Sequence, residues 1–183
     1  MNKTQVSPTG NMKKHALVGC CGISCGLCPR FQSKAKSRCL GCGPDAHCTY
    51  CPIFRCCLMK RSFETCADCP EFPCEKYAKW SDGDSFVTHS KCLPNIQKIK
   101  NVGVKEFMKE QKERQKLLEL MLAKYNPGQC VSMYCLACAL MPVASLKKAL
   151  KQVGSAKGDK AKAFKAIIQE LAEKEKISLK LRK

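Results

Sequence analysis

Apolar residues recur at three- and four-residue intervals along the second half of the chain and hardly at all along the first. Between 95 and 126, Phe107, Leu117, Leu118, Met121, Leu122 and Tyr125 stand among lysines and glutamates, which predicts helix. Gly103 divides that stretch in two, and Asn126-Pro127-Gly128 stops it. Val143, Leu146, Leu150 and Val153 predict a helix near 142–153, with Pro142 in its first turn and Gly154 at its end. A further helix starts after Asp159, a suitable N-cap, and carries Phe164, Ile167, Ile168 and Leu171 on one face. Stripes at this spacing are how helices reach a core. At the end, Ile177, Leu179 and Leu181 alternate with polar positions, a pattern that allows a short edge strand.

The first half is built differently. Its spacers are Gly, Pro, Lys and small polar residues, as in "CLGCGPDAHCTYCP" and "TCADCPEFPC". Such a segment buries too little apolar surface to offset its chain entropy, so something else must order it. Metal coordination is the available substitute, because ligation energy becomes folding energy. These patterns predict a small α+β protein in which a metal-stapled, cysteine-rich knuckle segment packs on a C-terminal helical bundle. Residues 1–15 read as a disordered tail, 16–92 as the cysteine-rich metal-binding segment, and 93–183 as a basic helical region.

Cysteine changes the picture most. The chain holds 17 among 183 residues, and 13 of them fall between 20 and 74. That usage signals disulfides or metal. Residues 1–15 contain no apolar stretch of export-signal length. "LVGC" at 17–20 resembles a lipoprotein cleavage box, but too few apolar residues precede it. No run approaches a membrane span. A cytoplasmic protein without membrane attachment is the expectation, and there thiols stay reduced.

Spacing then identifies ligands. Cys21-x3-Cys25-x2-Cys28 comes first, followed by Cys39-x2-Cys42-x5-Cys48-x2-Cys51, then Cys56, then Cys66-x2-Cys69-x4-Cys74. Two residues between thiolates let a loop fold back so that both sulfurs face one ion. These eleven cysteines are the predicted metal ligands, and zinc is the favoured metal. Cys39-Leu40-Gly41-Cys42-Gly43 has the zinc-knuckle form, with glycine relieving the tight turn. A [4Fe-4S] cluster is the alternative, since Cys28, Cys51 and Cys69 each precede proline, as in the step that closes a ferredoxin run. Metal-free thiols are the third reading. Three four-cysteine sites need one more ligand than the eleven, for which Cys57, Cys20, His47 or a cysteine of the helical half are candidates. Cys92 and Cys130 read as structural, and Cys135-x2-Cys138, in "YCLACALMP", as packed small hydrophobes. The first run also has the spacing of radical S-adenosylmethionine enzymes, but no βα-barrel pattern follows it. No βαβ pattern surrounds a C-x-x-C to suggest a thioredoxin role.

Formal net charge is +18, with 10 basic and 4 acidic groups in residues 1–74 and 23 and 11 in 75–183. Each zinc held by four thiolates carries a net charge of about −2, so three such sites would bring the first half, at 10 basic against 4 acidic groups, near neutrality. The remaining excess is mostly lysine, and "KEFMKEQKERQK" alternates signs as solvated faces do. Net charge admits a nucleic-acid surface. Six arginines and few aromatics give base reading and stacking little support.

"CGISCGLCPRF", "CLGCGPDAHCTYCPIFRC" and "ETCADCPEFPCEKY" resemble the cysteine signature of the "domain of unknown function 3795" proteins of bacteria and archaea. The downstream "EFMKEQKERQKLLELMLAKYNPG", "SMYCLACALMP" and "AEKEKISLKLRK" look like longer members, so the resemblance spans about 17–183. It implies the same eleven cysteines and no established activity. No Ser/His/Asp set, glycine-rich phosphate loop or paired carboxylates emerge. With plentiful ligands and no general base beside them, the metal reads as structural rather than catalytic. The expected function is an interaction module with a protein partner. Electron transfer or redox sensing by an iron–sulfur protein, a nucleic-acid-binding zinc protein, and an enzyme with an open metal position are the alternatives.

Overall fold

The computed structural model describes residues 13–43, 48–126 and 128–182. Most of the expected tail, His47 and Pro127 lie outside them. The helical half forms where its apolar stripes predict it. Helix α4 spans Cys92–Val102 and α5 spans Val104–Tyr125, parted by Gly103 at φ 82°. Helix α7 spans Val143–Gln152 behind Pro142, and α8 spans Lys160–Lys174. Asp159 caps α8 by accepting from the Ala161 and Lys162 amides. Between α5 and α7 lies α6, Val131–Leu140, whose Tyr134, Leu136, Ala137 and Cys138 are all buried.

The cysteine-rich half folds into short turns and helices that start on cysteines. Cys28 immediately precedes α1 (Pro29–Gln32), Cys51 precedes α2 (Pro52–Phe54), and Cys74 precedes α3 (Glu75–Ser81). Proline sits in the first turn of α1 and α2, where its missing amide costs nothing. Helix α2 runs directly into a π-helical segment, Arg55–Lys60, which carries Cys56 and Cys57. Two 3-10 turns, Cys25–Leu27 and Cys66–Asp68, complete the set.

The α+β expectation is wrong: the described residues are helical and contain no strand. The one extended pairing among them is an isolated bridge between Val18 and Ser24. The predicted edge strand at Ile177, Leu179 and Leu181 does not form, because the helical body offers it no strand to pair with. Ile177 and Leu179 instead pack on the helical core. Arg182 then anchors the tail, donating from its backbone amide to Asp84 Oδ2 at 2.8 Å and from its guanidinium to Asp84 Oδ1 at 2.9 Å.

Two apolar cores result. One joins Leu118 and Met121 of α5 to Tyr134 and Cys138 of α6, Leu146 of α7, and Phe164 and Ile168 of α8. The other joins Val18, Ile53, Phe54, Leu58 and Tyr77 to Ile96 and Ile99 of α4 and Phe107 of α5. Helix α5 serves both. The cysteine-rich half therefore borrows apolar surface from α4 and from the start of α5.

Glu64 fixes the chain where it enters this half. Its carboxylate accepts from the backbone amides of Lys14 (3.1 Å) and His15 (2.8 Å) and from Lys13 Nζ (3.1 Å). Burial pushes the Glu64 carboxyl up, but Lys13 and the two amides outweigh it and hold it below the usual range. A lowered native value contributes stability above the unfolded carboxylate pKa of about 4.3, and that contribution is lost as pH falls through the native value. Glu64→Gln is expected to be less stable than the parent at neutral pH, with the gap closing in acid. Urea unfolding at a series of pH values measures it.

Candidate metal centre

The four C-x-x-C pairs of the cysteine-rich half do not share one conformation. Three close the same turn, with the amide of the second cysteine donating to the carbonyl of the first: Cys28 to Cys25 at 3.0 Å, Cys51 to Cys48 at 2.9 Å and Cys69 to Cys66 at 3.2 Å. The fourth is held from outside. The Cys42 amide donates to the Ala16 carbonyl at 2.6 Å, and a Cβ on Gly41 would lie 2.4 Å from that oxygen. Gly41 has φ 112°, so this knuckle needs glycine both for its backbone and for its closeness to residue 16.

These turns place all eleven predicted ligands around two cavities. Cys21, Cys25, Cys28, Cys39, Cys42, Cys48 and Cys51 line the larger, of about 210 Å³. Cys56, Cys66, Cys69 and Cys74 line the smaller, of about 20 Å³. Cys20 joins the first group and Cys57 the second. As the side chains stand, no three Cys, His, Asp or Glu groups among the described residues converge closely enough to hold an ion.

Within the larger cavity the thiols fall into neighbourhoods. Burial pushes Cys25 well above its ordinary value, and the nearby Cys28, Cys48 and Cys39 add to it. Burial takes Cys48 up to about 11, with Cys39, Cys51 and Cys28 as its neighbours. Cys25, Cys28, Cys39 and Cys48 therefore surround one region. Cys20 Sγ lies 3.7 Å from Cys42 Sγ. Cys21 turns away from them: contact with the Cys92 thiol, then burial, holds it well above its usual value. Tyr77 donates its hydroxyl to the Cys21 carbonyl at 2.7 Å and fixes that doublet.

In the smaller cavity Arg61 donates to Cys69 Sγ at 3.4 Å and makes a bidentate pair with Glu71 at 2.8 Å.

Other residues of the larger cavity carry no signal of it in the sequence. Trp80, Ser85, Phe86 and His89 form part of its wall. The His89 ring stacks on Trp80 at 4.0 Å between centroids, and its Nε2 pairs with Ser85 Oγ at 3.2 Å. Cys130, Cys135 and Cys138 lie in the helical core, and Cys138 Sγ packs 3.7 Å from Met121 Sδ.

Comparison with known protein families, curated proteins and solved structures finds no match.

No helix among the described residues is long and apolar enough to cross a membrane.

Proposed function

We propose that this chain is a metal-binding protein whose cysteines hold zinc in a structural role, and that the ordered cysteine-rich half serves as an interaction module. One observation carries the reading. The eleven cysteines singled out by spacing divide without remainder between two cavities, seven on one and four on the other. The donor set fits zinc, since four thiolates are the usual tetrahedral ligands of a closed structural site. Cys56, Cys66, Cys69 and Cys74 would hold one ion in the smaller cavity, whose volume suits a single atom. Bound zinc would supply ligation energy to a half whose own apolar core is small.

Leu40, Tyr50 and Met59, at 60%, 83% and 59% exposure, put large apolar side chains on the surface of this half and support a protein partner. Glutamates pair with Lys98, Lys109, Lys147 and Lys174 on the helical surface. Support for nucleic-acid binding therefore rests on net charge. The "domain of unknown function 3795" resemblance agrees with metal binding and adds no activity.

The larger cavity favours a second reading. Its volume of about 210 Å³ exceeds what one ion fills, and a [4Fe-4S] cluster, which supplies one-electron chemistry when bound, is the thiolate-held group of that scale. The Cys-Pro steps at 28 and 51 no longer argue for it, because each proline has a local reason as the first residue of a helix. Elemental analysis of protein purified without air decides between the metals. A colourless protein containing zinc is expected. A brown one containing iron and acid-labile sulfide would overturn the zinc assignment.

A further inference from the structure

The segment between α3 and α4 touches two spaces at once. Ser85, Phe86, Val87 and His89 stand in the wall of the larger cavity. Phe86 and Val87 also line a small cavity of about 20 Å³, which they share with Leu181 of the tail and with Cys135 and Leu136 of α6. The rest of the larger cavity's wall is anchored differently. Cys20, Cys42, Ile53 and Phe54 are buried and belong to the second apolar core. Among the described residues, Phe86 and Val87 belong to neither core, and Phe86 is 38% exposed.

Asp84 holds this segment to the tail. Its side chain is 1% exposed, and its carboxylate accepts from the His89 amide at 2.8 Å as well as from the Arg182 amide and guanidinium. The Arg182 guanidinium also donates to the Ser81 carbonyl at 3.1 Å, and the Asp84 amide donates to the Arg182 carbonyl at 3.3 Å. One buried carboxylate therefore ties a residue of the cavity wall to the tail. A carboxylate so enclosed needs its cation, because loss of the partner leaves the charge uncompensated. On the cavity side the segment rests on rings: the Arg30 guanidinium lies 4.8 Å from the Phe86 ring, and His89 stacks on Trp80.

We propose that residues 84–89 form a lid on the larger cavity and that Arg182 is its latch. While Arg182 holds Asp84, the cysteines behind the lid are shielded; release of the tail opens them to metal ions and to thiol reagents. The gating of metal rests on the metal-binding reading above, whereas the shielding of thiols does not. Segments that move are drawn from the least stable parts of a fold, and a stretch outside both cores, held by one ion pair, is such a part. The smaller cavity has no residue of the lid in its wall, so its cysteines serve as an internal control.

The test is alkylation of the full-length protein with iodoacetamide, followed cysteine by cysteine by mass spectrometry, together with the rate of metal transfer to a chelator. It compares the parent with Arg182→Glu, Arg182→Lys and Lys180→Glu. Arg182→Glu sets a carboxylate against Asp84. It is expected to raise labelling of Cys25, Cys28, Cys39 and Cys48 about tenfold, the effect of losing one charged hydrogen bond, while Cys66, Cys69 and Cys74 change by less than about twofold. Metal leaves the larger cavity faster in the same variant. Arg182→Lys keeps the cation, and Lys180→Glu puts a carboxylate on an exposed neighbour; both stay near the parent's rates. Parent rates at both cavities in Arg182→Glu, or equal acceleration at both, overturn the lid. A parent without metal overturns the metal reading alone, since the labelling rates still test the lid. Should Arg182→Glu fail to fold, hydrogen exchange on the parent decides. The Asp84, His89 and Arg182 amides are expected to share one protection factor, lower than those of α4, and unrelated values overturn the latch.

Discussion

Replacing Cys69 with serine is expected to cost at least about 4 kcal/mol of stability in the metal-loaded protein, the range reached when a mutation removes a bound metal. Cys69 ends the Cys66–Asp68 turn and faces the smaller cavity with Cys56, Cys66 and Cys74. A serine hydroxyl is a poor zinc ligand, so the remaining three thiolates would hold the ion weakly. The same substitution in chelated protein is expected to cost less than about 1 kcal/mol, because Cys69 is only half-buried and its packing is replaceable. Urea unfolding of the parent and variant, with and without a chelator, measures both. Equal costs in the two backgrounds would assign Cys69 to packing alone.

Phe107→Ala is expected to cost about 3–5 kcal/mol with metal present, as large-to-small changes in a closed core do. Phe107 is completely buried, yet it lies in the first turns of α5, within the lysine-rich stretch "KEFMKEQKERQK". It packs in the core with Val18, Ile53, Phe54 and Tyr77 from the cysteine-rich half and with Ile96 and Ile99 of α4. Its loss would open a cavity at the joint between the halves. Accordingly, hydrogen exchange in Phe107→Ala should rise around residues 16–81 more than in α7 and α8. A small or uniform effect would mean that the cysteine-rich half stands without its borrowed core.

Much of the helical half was legible because its signals are local. Gly103 breaks α4 from α5, Pro142 precedes α7 and Asp159 caps α8, each through its own backbone chemistry. Helix α6 was harder to bound. It is apolar nearly all round, so it shows no stripe. The strand expected at Ile177–Leu181 failed because alternation describes a chain's two faces but cannot supply a partner for its backbone. The second core was hidden for a related reason: Val18, Ile53, Phe54 and Phe107 lie far apart in sequence and meet only through the fold. Cysteine spacing picked out residues that line the two cavities, since C-x-x-C geometry is local too, whereas Cys135-x2-Cys138 has the same spacing and is set apart by its apolar surroundings. It gave no hint that Cys20 and Cys42 meet, or that Trp80 and His89 wall the larger cavity, because those contacts join distant turns.

The central claim is that bound metal orders the cysteine-rich half while the helical bundle holds itself together. Hydrogen exchange followed by mass spectrometry, before and after chelation of the full-length protein, tests it directly. Removing the metal is expected to release protection across residues 16–81, with thiols in that region becoming reactive, and to leave α6, α7 and α8 protected. Metal-free protein that keeps the same protection and the same buried thiols would contradict it.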